Sequence, residues 1–422
     1  MVAALTTLQM QARLPVGSDM DRYPERLIRG TVLGSALLLA ACGGGGDGGG
    51  TAGGNPPPQD GPKEAGVCGD AGSGINHGAL MSTNCQYLSS YRLFKDETNP
   101  TANPAVGAVP YDLTTALFSD YTSKYRFVFL PDGSSAQYST QEAFDFPVGT
   151  VISKTFALPA DTAFRGIENE TLLETRLLIR RESGWTALPY VWNADKTEAE
   201  FSAAGAFIPV SLIHDGQQID FSYEVPDTNM CKQCHQFNDG VRNAIVPIGP
   251  KARLLNRAFD YDNGPENQLQ HWRKAGILAG LPDDLSPVTT VPAYVDADAS
   301  LLAGRTTAEL TALAKGYLDV NCAHCHRPEG GASNTGLHLE YWRSLADEPV
   351  KHGTCKLPVA YRAAEGLNYD LVPGDASSSI LHYRINTAEA RHRMPEIGRH
   401  LAHQEGAALI AAWIDGLPGG CP

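Results

Sequence analysis

The stretch "TTAELTALAKGYLDVNCAHCH", residues 306–326, reads as one helix that runs straight into a ligand-bearing turn. Leu310, Leu313, Ala314, Tyr317 and Leu318 recur at the spacing of an amphipathic stripe, with Thr307 and Glu309 near its start. The stretch closes on Cys322, Cys325 and His326, a Cys-x-x-Cys-His. The same spacing stands upstream in "MCKQCHQFND", residues 230–239, as Cys231, Cys234 and His235. At the end of the chain, "HQEGAALIAAWIDGL" puts Ala408, Leu409, Ala412 and Trp413 on one helical face. Residues 301–422 therefore read as a small all-α domain, with one helix entering the second motif and another closing the chain.

The spacing has a mechanical meaning. Two thiols three residues apart lie on one turn and can each add to a vinyl group of a haem. The next residue, His, then sits beneath the iron as an axial ligand. Two Cys-x-x-Cys pairs would also suit structural zinc, and one pair a redox dithiol, but neither needs a His after the second Cys both times. Two covalently attached haem c groups are expected, on Cys231, Cys234 and His235 and on Cys322, Cys325 and His326.

Methionine is scarce, with six in the chain, and only Met394 lies usefully downstream of a motif. It stands in "RHRMPEIGRH" (391–400) and is the expected sixth ligand of the second haem; a thioether there favours reduced iron. The first haem lacks such a Met. His271, on a helix expected over 267–281 beside Trp272, is the first choice for its distal ligand, with Met81, His77 and His214 as alternatives. His324, between the cysteines of the second motif, is expected to point to solvent. His382, His392, His400 and His403, with Arg391, Arg393 and Arg399, surround the Met394 region and could bond haem propionates, although solvated charge is the simpler reading for most of them.

Upstream of the first motif the pattern changes. Between about 86 and 226, "YRFVFL", "TVISKTFAL", "TLLETRLLIRR", "WTALPYVW", "AFIPVSLI" and "IDFSYEV" are runs of aromatic and β-branched residues divided by turn signals. They predict an antiparallel sandwich or open barrel. The fold class expected is thus α+β and multidomain: a β-sandwich-like region with the first haem site over 66–300, then an all-α cytochrome c-like domain over 301–422. Trp185, Tyr190 and Trp192 are expected to fill the sandwich core.

The N-terminus reads as export machinery. Arg26 and Arg29 precede an apolar run to Leu39, and Leu39-Ala40-Ala41-Cys42 resembles a bacterial lipoprotein cleavage box. Residues 1–42 are read as signal peptide with lipidation at Cys42, and the Gly/Pro-rich residues 43–65 as a flexible tether. The expected place is the bacterial cell envelope, lipid-anchored at the outer membrane. Of nine cysteines, one goes to the lipid and four to the motifs, which leaves Cys68, Cys85, Cys355 and Cys421. In an oxidising compartment these suggest two disulfides, and of three possible connectivities Cys68–Cys85 with Cys355–Cys421 keeps each bridge within one region. A net charge of -14 excludes nucleic acid as a natural partner and is compatible with docking a basic protein.

"YLDVNCAHCHRPEGG", "YDLVPGDASSSILHYRI", "MPEIGR" and "GAALIAAWI", in that order, resemble the C-terminal unit of a family of bacterial dihaem c-type cytochrome lipoproteins. "LSSYRLF", "FDFPVGTVISKTF", "ETRLLIRR", "PDTNMCKQCHQ", "IGPKARLLNR" and "NQLQHW" resemble the same family's N-terminal half, so the resemblance runs over about residues 68–421. It implies two haems and an electron carrier working between redox protein partners. The alternative is a dihaem peroxidase-like enzyme with an open distal site on the first haem. Neither Gly-x-Ser-x-Gly nor His-Glu-x-x-His occurs.

Overall fold

A computed structural model describes residues 64–294, 302–361 and 366–422. The signal segment with Cys42, residues 43–63 of the tether and the expected domain boundary at 300/301 lie outside the described residues. What is described belongs to one compact unit.

All six sequence runs are strands. β1 (Ala108–Pro110), β2 (Ser123–Phe129), β4 (Val151–Pro159), β5 (Glu170–Arg181), β6 (Gly184–Trp192) and β7 (Ala199–Phe201) form one antiparallel sheet in the order β1-β2-β4-β5-β6-β7. β8 (Ala206–His214) and β9 (Gln217–Val225) form a separate hairpin. β3 (Ala136–Gln137) pairs in parallel with β14 (Leu278–Ala279).

The expected sandwich is replaced by one sheet with a different cover on each face. Alternation along β2 sends Phe127 and Phe129 to one side and Val128 to the other. The first side packs against α1 (His77–Ser82) and the loop after it, with Tyr91, Leu88 and the Cys68–Cys85 disulfide. Tyr190 and Trp192 are buried there, while Trp185 packs against the opposite core. That opposite core holds α3 (Ala252–Leu255), α4 (Gln268–Lys274) and Val320. Short helices supply the second layer because the chain after β9 has no further long β-branched run.

The first motif sits on α2 (Thr228–His235), whose start is set by Asp227: its carboxylate accepts from the Asn229 and Met230 amides at 2.7 Å. Two small hairpins follow, β10 (Gln236–Asn238) with β11 (Asn243–Ile245) and β12 (Ala258–Tyr261) with β13 (Gly264–Asn267). The helix expected over 267–281 stops at Lys274, because Gly276 turns at φ +74° and Leu278–Ala279 leaves to pair with β3.

α5 (Thr307–Asn321), α6 (Ile380–Asn386) and α7 (Gln404–Asp415) carry the C-terminal part, and α5 and α7 share a core around Leu313, Tyr317, Ile410 and Trp413. α5 begins where Thr307 and Glu309 were expected to mark its start, and its cap is Thr306, which closes a capping box with Glu309. A second disulfide joins Cys355 to Cys421. Among the described residues no helix is long and apolar enough to cross a membrane.

Candidate functional site

Cys231 and Cys234 face the same side of α2, three residues apart on one turn. Cys322 caps α5, and its carbonyl accepts from the Cys325 and His326 amides at 3.1 and 2.9 Å, which folds the second motif into a tight turn. Gly330 closes that turn. A Cβ there would lie 2.2 Å from the Cys325 carbonyl oxygen, so only glycine fits.

The two motifs are far apart in sequence and meet in space. Sγ of Cys234, Sγ of Cys325 and a ring nitrogen of His324 all lie within 4.8 Å of one another. Gly331 lies against the Gln233 carbonyl, and the Asn238 amide donates to the Glu329 carbonyl at 2.8 Å. Arg327 reaches across to both oxygens of Glu142 at 2.8 Å and lies over the Phe237 ring. The neighbouring Cys325 thiol and His324 ring hold Cys234 well below the usual thiol range, while Cys325 Sγ itself donates to the Gln233 carbonyl at 3.6 Å. His324 does not point to solvent as expected. It faces both cavities described below, and its Nδ1 is buried without a hydrogen-bond partner.

Both motif histidines are oriented in the same way. His235 Nδ1 donates to the Val246 carbonyl at 2.7 Å, which leaves Nε2 with its lone pair. His326 Nδ1 lies 3.1 Å from Thr335 Oγ1, whose own proton goes to the Ala332 carbonyl; Nδ1 is again the donor. Burial pushes both imidazoles down to about 4, so each is neutral at ordinary pH. A neutral ring with one nitrogen fixed and the other free is what a metal ligand requires.

Two cavities adjoin the motifs. The larger, about 580 Å³, is lined by Cys322, Cys325, His326 and Met394, with Arg384 and Arg391 at its wall. The Met394 loop is tied back by Arg399, which donates to the Met394 carbonyl at 3.0 and 2.8 Å and to the Arg384 carbonyl at 2.9 Å. Arg399 and Arg393 are thus buried rather than solvated, and only Arg391 of the three expected arginines lines the cavity.

The smaller cavity, about 130 Å³, is lined by Cys231, Cys234 and His235 from one side. From the sheet come Arg126, Lys154 and Arg176, which stand in register on three neighbouring strands. Arg126 is paired with Asp112 at 2.6 Å and Arg176 with Glu174 at 2.5 Å. Lys154 has no hydrogen bond or ion pair among the described residues; its ammonium lies 5.0 Å from the centre of the Phe156 ring. Burial and the two guanidiniums push that ammonium down to about 7.

None of the expected distal ligands of the first motif lines either cavity. His271 is stacked on Tyr261 at 3.5 Å and bonded to Glu266 at 3.0 Å. Its neighbour Trp272 fills the core instead of facing a cofactor, because the short α4 turns that side inward. His214 bonds Thr162 and stacks on Tyr121; His77 is exposed on α1 and Met81 is half-buried there.

Sequence reading missed the cationic row, whose signal was a charged residue breaking the apolar pattern in each of "YRFVF", "ISKTF" and "ETRLL". It also missed Asp319, a carboxylate on the buried face of α5. Asp319 is bonded by Arg253 at 2.7 and 3.0 Å and joins the second motif's helix to α3. Comparisons of the chain with family models, curated proteins and solved structures give no match.

Proposed function

We propose that the protein is an exported carrier that relays electrons between redox protein partners through two covalently held haem c groups. The observation that carries this reading is the convergence of the two Cys-x-x-Cys-His motifs, with the Cys234 and Cys325 sulfurs within 4.8 Å of each other and both histidines presenting a free Nε2. Two centres that share an edge suit transfer from one to the other.

The residues of the second site fit the group. A cavity of about 580 Å³ lies within the roughly 300–1,000 Å³ of cofactor sites. It offers two thiols, an imidazole and a thioether to one space, and Arg384 and Arg391 could receive carboxylates. The first site fits by its donor set. Its cavity of about 130 Å³ lies below that range, so a ring there would require movement of lining side chains such as Met230. Haem supplies reversible one-electron chemistry at iron, and axial ligation and burial set the potential. The chain's part is to hold each ring by its thiols, keep each imidazole neutral and aimed, and exclude water. The anchor at Cys42 belongs to the same proposal and would keep the relay at a membrane.

A second reading rests on one specific observation. Cys234, His324 and Cys325 are disposed to hold a single metal ion directly. The intact mass of protein matured in a host competent for c-type haem attachment separates the two. Two covalent haem increments are expected. A mass equal to the bare chain plus zinc would overturn the relay.

A further inference from the structure

We propose that Lys154 is the sixth ligand of the first haem, presenting its amine to the iron from the sheet wall of the smaller cavity; this rests on the haem reading above. The placement comes from the pleat. Ile152, Lys154 and Phe156 alternate along β4 and all line the cavity, so this face of the central strand looks at the first motif. In register, Lys154 stands between Arg126 on β2 and Arg176 on β5. Both guanidiniums are already committed to carboxylates, and Lys154 is not.

The other lining groups are occupied or badly placed. Met230 adjoins Cys231 on the same helix. Tyr111 is packed edge-to-face on Trp272, and burial keeps its phenol protonated. The Ser119 hydroxyl is bonded to Thr122 at 3.0 Å. His324 lies against Cys234, at the edge where the ring would be attached.

The amine is also suited to the task. A lysine between two permanent positive charges, in a partly apolar cavity, sheds its proton to solvent more readily than a free one. The lone pair so exposed forms one coordinate bond to iron, and no electron is exchanged in forming it. The ligand would complete a low-spin centre with a lower potential than the His326/Met394 one. That closes the first haem to peroxide and favours a carrier over a peroxidase.

The test uses the full dihaem protein. EPR and near-infrared magnetic circular dichroism of the ferric form should show one His/Met and one His/amine low-spin centre. Lys154→Ala should turn one of the two haems high-spin. Lys154→Met, which keeps an unbranched stem one atom shorter and guards against misfolding, should likewise lose the His/amine signal and raise the lower potential. Spectra and potentials unchanged in both variants would overturn the assignment, as would loss of one low-spin signal in His324→Ala alone. Absence of covalent haem by mass would sink the relay itself, whereas unaltered spectra in a dihaem protein would sink only the lysine.

Discussion

Asp319→Ala should destabilise the protein by about 3–5 kcal/mol, the usual cost of leaving a buried charge without its partner. Asp319 is fully buried on α5, just before the second motif. One carboxylate oxygen accepts from Arg253 at 2.7 Å and from the Tyr341 amide at 3.0 Å; the other accepts from Arg253 at 3.0 Å and faces Lys251 at 3.8 Å. Arg253 and Lys251 are themselves buried, so truncation strands two cations and one amide away from water. The loss is a large share of the roughly 5–15 kcal/mol that keeps a domain folded. Burial alone would raise the Asp319 carboxyl, but Lys251 and Arg253 overcome it and hold the group down to about 2, against 3.8 for a free aspartate. The sign follows: a depressed carboxyl stabilises the fold above pH 3.8, and this is lost as pH falls through about 2. At about 1.36 kcal/mol per pH unit, the gap is worth on the order of 2 kcal/mol of acid-sensitive stability. Urea unfolding of the haem-loaded protein, followed by far-ultraviolet circular dichroism at neutral pH and down the acid limb, measures both quantities. Arg253→Ala should cost a similar amount, and the double variant less than the sum, since removing both partners relieves the stranded charge. A loss below about 1 kcal/mol, typical of an exposed pair, would refute the claim that this buried ion pair ties the second motif's helix to α3.

Met394→Ala should remove one sulfur-to-iron near-infrared band and lower one of two reduction potentials, because Met394 shares the larger cavity with His326; an unchanged band would refute it. Cys42→Ser should release the protein from membranes on fractionation, as Leu39-Ala40-Ala41-Cys42 is the only proposed anchor. Continued sedimentation with membranes would place the anchor elsewhere.

Much of the scaffold was legible because its causes are local. The pleat writes itself as alternation in "YRFVFL" and "TVISKTFAL", and the 3.6-residue period as Leu310, Leu313, Ala314 and Tyr317. Helix caps were less secure. Thr306 and Thr307 are chemically alike, and only the backbone shows which one caps α5. The expected helix over 267–281 failed at its end, where β14 found a partner in β3 that lies more than a hundred residues away.

The sequence by itself determined the chemistry on offer: two Cys-x-x-Cys-His turns, one downstream Met394, and an even set of remaining cysteines. Those are matters of covalent spacing, and spacing along a chain needs no fold to be read. Only the tertiary structure decided what meets what. It brought Cys234 to Cys325, sent His271 to Tyr261 and away from both cavities, and turned His324 inward. It also lined up Arg126, Lys154 and Arg176, which come from three separate runs and become neighbours only through strand register. Register is fixed by the burial of whole faces on both sides of the sheet, a property of no single run and therefore invisible in any one of them.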